Sequence, residues 1–227
     1  MKSIIKLQVV AILIAIVFFS CSDDYLDLKD KQNITESSFW STKDHAIQGI
    51  TATYAALQGH DGDKWTFFEE TYTSIAYKGD DLDNNKNEGY SKTIANFTNG
   101  TEVSGPFNIW ATCYAGIGRA NQVIDKVPSI TSMSEQERNE IVGEAKFLRG
   151  YFYFMLVNAF EHVPLVLKFE KDLTKLQVPQ AKPEEVWAQI EKDLQDAELV
   201  LPSSYANAKI GRATKGAAKA FLGKVFL

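Results

Sequence analysis

Apolar positions between residues 141 and 160 recur at alternating intervals of four and three: Ile141, Ala145, Leu148, Phe152, Met155 and Ala159. That is the period of one helix face. Phe147, Tyr151 and Phe154 form a second stripe beside it, and Tyr153, Leu156 and Phe160 a third. A helix apolar on most of its circumference is buried on most sides, so 144–164 predicts a central core helix. It does not predict a membrane span, because Glu144, Arg149, Asn158 and Glu161 interrupt a stretch that would need about 20 apolar residues. Arg149 needs a partner in such a helix; a structural salt bridge or a carbonyl clamp is expected of it, not catalysis.

The same period predicts further helices. Ser41 to Asp44 has the form of a capping box, followed by Ile47, Ile50, Tyr54 and Leu57 on one face and by Gly59 as a stop. Phe107 to Val127 turns Ile109, Cys113, Ile117, Ala120 and Ile124 inward, with Pro128 as its stop. A second capping box, Ser134 to Glu137, starts the central helix. Val163 to Val166 then reads as extended. Pro183 suits a first helical turn, and Val186, Ile190, Leu194, Ala197 and Leu201 run on to Pro202. Thr214 caps a last helix that meets no stop signal before Leu227, the pattern expected of a truncated chain. Four or five helices with short connections predict an all-α fold, a solenoid or a bundle, although no strict repeat is visible. Residues 60–106 are different. They lack a long helical period and mix Gly62, Gly79, Gly89, Gly100 and Gly105 with Trp65, Phe67, Phe68, Tyr72, Tyr77, Tyr90 and Phe97. An irregular insertion of this length inside a compact domain is usually functional.

The N-terminus changes the picture. Lys2 and Lys6 precede an unbroken apolar run of 11 residues, Val9 to Phe19. This suits the core of an export signal and is too short for a span. Ser20-Cys21 then resembles the end of a bacterial lipobox, with Phe18 where leucine is usual. The expectation is a signal peptide over 1–20, lipidation of Cys21, a polar tether over 21–40 and a helical domain over 41–227. An ordinary secretory peptide with a chance cysteine is the alternative. Cys21-Ser22-Asp23-Asp24 resembles the acidic tetrapeptide of surface-exposed lipoproteins of Bacteroidetes. Cys113, the other cysteine, is expected to be a buried thiol.

The formal net charge is -5. Without residues 1–20 the chain has 22 basic and 29 acidic residues, a net of -7. With no basic cluster, nucleic acid is a poor partner. His45, His60 and His162 are isolated, and no HExxH, CxxC or GxSxG occurs. Gly116-Ile117-Gly118 lies within a helical pattern and reads as helix packing, not as a dinucleotide loop. Asp81, Asp83 and Asn85 imitate the start of a calcium loop, but Lys86 and Lys92 stand where glycine and glutamate are required; a solvated acidic loop is expected. No metal, cofactor or catalytic constellation is predicted.

Several ordered motifs resemble the SusD/RagB family of outer-membrane nutrient-binding lipoproteins. These are Tyr25-Leu26-Asp27 and Phe39-Trp40; Trp110, Tyr114, Ile117, Ala120-Asn121 and Val123-Ile124; and Glu144-Ala145-Lys146-Phe147-Leu148-Arg149-Gly150-Tyr151 through Val163-Pro164-Leu165. Glu184-Glu185-Val186, Asp193-Leu194, Ala197 and Leu201-Pro202 follow, then Gly211-Arg212-Ala213-Thr214-Lys215-Gly216-Ala217-Ala218. Gly150 replaces the usual alanine, and Glu161-His162 a glycine-containing pair. The resemblance implies a tetratricopeptide-like helical scaffold, no enzyme activity, and capture of glycans or other nutrients for a SusC-type TonB-dependent transporter at the outer membrane. Such members are longer than this chain.

Sugar rings stack on exposed aromatic side chains and need polar partners at their edges. On that ground Trp65, Tyr72, Tyr77 and Tyr90 are candidate stacking residues, with Asp81 and Asn84 as polar partners; packing within the domain is the alternative for each. Two other functions compete. One is a helical adaptor that holds a transporter complex together without touching ligand. The other is a lipoprotein hydrolase working through a carboxylate pair, for which no motif is present.

Overall fold

Alternating caps and apolar stripes give a series of helices gathered around one central helix. The structure, a computed structural model, describes residues 39–58, 90–98, 100, 104–170, 172–175, 177–206 and 209–227. The chain divides into two units, Met1–Phe39 and Trp40–Leu227, and the account below concerns the second. Its helices are α1 (Lys43–Ala55), α2 (Tyr90–Ala95), α3 (Ser104–Lys126), α4 (Glu135–Phe160), α5 (Pro183–Val200) and α6 (Lys215–Val225). Among the described residues β-structure is limited to one antiparallel bridge between Pro164 and Gln180. None of the described helices is long and apolar enough to cross a membrane. Helices α3 and α4, α4 and α5, and α5 and α6 pack as neighbours, while α1 lies against α3 and α4. This is the all-α scaffold that the periodicity predicts.

Helix α4 is the core of the unit. Leu148, Phe152, Tyr153 and Leu156 are almost wholly buried, and Met155 keeps 8% of its surface. The stripe of Phe147, Tyr151 and Phe154 meets Phe221 of α6, with ring centroids at 6.2, 5.7 and 4.9 Å. Each fully buried side chain of α4, such as Leu148 or Phe152, contributes about 1.5–3 kcal/mol. Phe152 also crosses onto α3, where a Cβ on Gly116 would stand only 2.3 Å from its ring. The glycine therefore sets how closely α3 and α4 approach; the packing role read for the Gly116-Ile117-Gly118 run holds for Gly116 and not for Gly118, which has nothing within 4 Å of its Cβ position.

The capping signals hold at three starts. Ser134 and Glu137 form the full capping box of α4, Pro183 stands in the first turn of α5, and the Thr214 hydroxyl accepts from the Ala217 N–H at 3.2 Å. The first helix differs. Thr42, not Ser41, is its N-cap, accepting from the His45 N–H at 3.3 Å; Thr42 holds the extended backbone (φ -130°, ψ 163°) that an N-cap needs. Helix α3 begins at Ser104, before the expected Phe107, and Val123 is fully buried where Ile124 is only partly so. The last helix closes at Val225 with Phe226 as its cap, short of Leu227.

Helix α4 ends abruptly. The His162 N–H donates to the Phe160 carbonyl at 2.7 Å, around Glu161 at φ 61°, ψ -69°. This is a γ-turn, a rare and strained geometry for a residue with a Cβ. It falls on the Glu161-His162 pair, where the resembled family carries a glycine. The turn sends the chain back along α4 and α3, where Pro164, Val166 and Leu167 meet Tyr114, Asn121, Arg149 and Tyr153.

Candidate functional site

The site is built from polar side chains of α3 and α4 that converge on the backbone of 163–167. Arg149 lies in a fork with Asp193 of α5, its Nε and Nη2 donating to Oδ2 and Oδ1, each at 2.7 Å. Both side chains are buried, at 6% and 1% exposure. Arg149 Nη1 donates to Asn121 Oδ1 at 2.8 Å and to the Leu167 carbonyl at 3.3 Å. Arg149 is thus both the salt bridge and the carbonyl clamp that the sequence suggests. Asn121, its amide oxygen taken by Arg149, turns its Nδ2 to the Val166 carbonyl at 2.9 Å. The Tyr114 hydroxyl donates to the Pro164 carbonyl at 2.8 Å, and the Ala181 N–H donates to the Val163 carbonyl at 3.0 Å. A buried backbone carbonyl left without a donor is costly, so these bonds hold the segment in one place.

A second, part-buried cluster ties the segment before α6 to α4 and α1. Glu144 accepts from Arg212 Nη1 at 3.1 and 3.2 Å and from the Tyr205 hydroxyl at 3.5 Å, while the Tyr54 hydroxyl accepts from the Ala213 N–H at 2.8 Å. Burial pushes the Glu144 carboxyl above its usual range, an effect that Arg212 opposes. Burial likewise raises the phenols of Tyr54, Tyr114 and Tyr153. The Glu144 and Asp193 carboxylates are each held by a guanidinium, an arrangement suited to locking helices together. Among the described residues no group of three His, Cys, Asp or Glu side chains stands where it could hold a metal ion. Cys113 is a buried thiol, raised by that burial.

Between α3 and the clamped segment lies an open cleft of about 350 Å³. Its α3 wall is Trp110, Tyr114, Ile117 and Gly118; its other wall is Pro164 and Val166, with Lys168, Phe169 and Glu170 at the rim. Trp110 is half-buried, its ring 4.8 Å from that of Tyr114 and edge-to-face with Phe160 at 5.2 Å. The walls are mostly aromatic and aliphatic, and the two charged rim residues are of opposite sign. Such a surface suits a neutral ligand with an apolar face.

The sequence-level candidates fall elsewhere. Cys21, Trp65, Tyr72, Tyr77, Asp81 and Asn84 lie outside the described residues, as do the signal, the tether up to residue 38 and the acidic loop. Of Tyr90 only the backbone is described, as the first residue of α2. Sequence reasoning missed the cleft. Trp110, Tyr114 and Gly118 recur every fourth residue on one helix face, which was a usable signal; nothing in the sequence joins Phe169 to them.

Residues 24–227 match the profile of the SusD-like family described as "Starch-binding associating with outer membrane". Among curated proteins the chain is 27% identical to SusD-like protein P2 of Formosa agariphila, over 98% of this chain and 43% of that protein. It is 29% identical to a SusD-like protein of Bacteroides ovatus, over 100% of this chain and 39% of that one. Among solved structures it superposes on a laminarin binding SusD-like protein with a TM-score of 0.72 and 32% identity, over 82% of this chain and 40% of that chain. The chain thus spans about two-fifths of the length of these relatives.

Proposed function

This chain belongs to the SusD-like family, and from that membership we propose that it captures glycans at the outer membrane, without catalysis, for import through a SusC-type TonB-dependent transporter. The observation that carries the proposal is the profile match over residues 24–227, strengthened by the laminarin binding relative at 32% identity. The physical support is a scaffold whose buried polar groups are spent on holding segments in place, with binding left to aromatic surfaces between and beyond the helices.

Trp65, Tyr72, Tyr77 and Tyr90, with Asp81 and Asn84, are the proposed glycan contacts, stacking on ring faces and bonding to hydroxyl edges. Lipidation of Cys21 is the proposed anchor, with the protein facing the exterior. Acyl chains add about 0.8 kcal/mol per buried methylene, so several hold a protein to a membrane durably.

A glycan array with the soluble chain, and capture of a transporter from detergent-solubilised membranes, test the reading. Binding to a glucan such as laminarin or starch, together with a co-purifying outer-membrane barrel, is the expected result. A chain that retains neither ligand nor transporter overturns it. Capture of the transporter without any glycan points to the adaptor function instead. For the anchor, Cys21→Ala is expected to release the protein from the membrane fraction.

A further inference from the structure

Two glycines of α3 stand in contrast. Gly116 is required, because a Cβ there would strike the Phe152 ring. Gly118 has nothing within 4 Å of where its Cβ would be, and it lies in a regular helix. A glycine there costs the helix roughly 1 kcal/mol relative to alanine, and no packing contact in the described structure explains it. Gly118 lines the cleft. Without a side chain it leaves a flat ledge of helix backbone beside the half-buried rings of Trp110 and Tyr114.

The opposite wall is fixed in advance. Pro164, Val166 and Leu167 have their carbonyls taken by Tyr114, Asn121, Tyr153 and Arg149. The segment that carries Lys168, Phe169 and Glu170 therefore leaves a rigid base. A cleft of about 350 Å³ lies at the lower end of the roughly 300–1,000 Å³ typical of small-molecule sites. Its chemistry narrows the occupant. An anion would gain little, because Lys168 is offset by Glu170. A hydrocarbon would have no use for a charged rim open to water. A sugar ring has an apolar face for the aromatic wall and hydroxyl edges for a carboxylate and an ammonium.

We propose that the cleft between α3 and 163–170 is a separate glycan subsite, in which a sugar ring lies on the Gly118 ledge between Trp110 and Phe169 with its hydroxyls at Lys168 and Glu170. This rests on the glycan-binding reading above and adds contacts at residues other than Trp65, Tyr72, Tyr77 and Tyr90.

The test is calorimetry of the full chain with oligosaccharides derived from laminarin and from starch. Gly118→Leu starts from a Cβ that meets nothing within 4 Å, enters the cleft and raises helix propensity, so it should fold with an unchanged or higher melting temperature. It should weaken binding about tenfold, the scale of one lost aromatic contact surface. Phe169→Ala should act in the same direction and decides the matter if Gly118→Leu folds poorly. Trp65→Ala/Tyr77→Ala/Tyr90→Ala serves as the independent arm. If that triple variant weakens binding while Gly118→Leu and Phe169→Ala bind as the wild type does, the subsite is overturned and the glycan reading stands. If the wild type binds no oligosaccharide, both are overturned.

Discussion

The Tyr153 hydroxyl bonds to both backbone groups of a single residue, Val166: it accepts from the N–H at 2.7 Å and donates to the C=O at 2.8 Å. One buried phenol of α4 thus fixes the middle of the segment that walls the cleft. Tyr153→Phe keeps the ring and its packing but leaves the Val166 N–H without this acceptor; the carbonyl retains Asn121. The expected cost is about 1–3 kcal/mol, read by urea unfolding, with faster amide exchange at Val166.

Alanine at two neighbouring glycines should act with opposite sign. Gly116→Ala drives a methyl into the Phe152 ring and should destabilise by about 1–3 kcal/mol, outweighing the gain of roughly 1 kcal/mol in helix propensity. Gly118→Ala meets nothing and should keep that gain. Phe152→Ala alone should cost about 3–5 kcal/mol. Combined with Gly116→Ala it should cost less than the sum, because the ring that the methyl strikes is gone. A double-mutant cycle in denaturant measures the coupling.

Arg149→Met leaves Asp193 buried beside no cation and should cost about 3–5 kcal/mol. Arg149→Met with Asp193→Leu removes both charges and should recover much of that loss, although Asn121 still lacks a donor for its amide oxygen. Thermal melts of the two variants make the comparison. A double variant less stable than the single one would show that the network is worth more than its desolvation.

Glu161 is exposed and sits at φ 61°. Glu161→Gly removes the Cβ that makes this turn unfavourable, a strain of about 1–3 kcal/mol, at some cost in chain entropy. A net rise in melting temperature is expected. A fall would mean that the γ-turn is comfortable for glutamate.

Glu137 at the start of α4 titrates at about 2, below its ordinary 4.5, because Lys43 and then the Ser134 N–H and hydroxyl bond to its charged form. A depressed carboxylate contributes stability that is present above pH 4.5 and lost as pH falls toward 2. Glu137→Gln should flatten the fall in melting temperature over that window. At pH 7 the difference should be small, since the Lys43–Glu137 pair is largely exposed to solvent.

What the amino-acid sequence determines by itself is whatever depends on near neighbours in the chain. Leu148 and Phe152 are buried because residues four apart share a helix face wherever the helix is placed. Ser134, Pro183 and Thr214 start helices because their effect reaches only the next turn. Even this local rule needed the backbone to choose between Ser41 and Thr42, two adjacent hydroxyls of which one has the capping dihedral angles. The family motifs were also legible as strings, but not their reasons. Tyr114 and Asn121 stand seven apart on α3 and Arg149 on α4, yet their polar atoms answer carbonyls on a segment further along the chain. The cleft belongs wholly to this second kind. It exists because Trp110 and Phe169 are brought opposite each other by a γ-turn and a set of side-chain-to-carbonyl bonds. No periodicity encodes that meeting, since the free energy that fixes it lies in buried hydrogen bonds formed only once α3, α4 and α5 have packed.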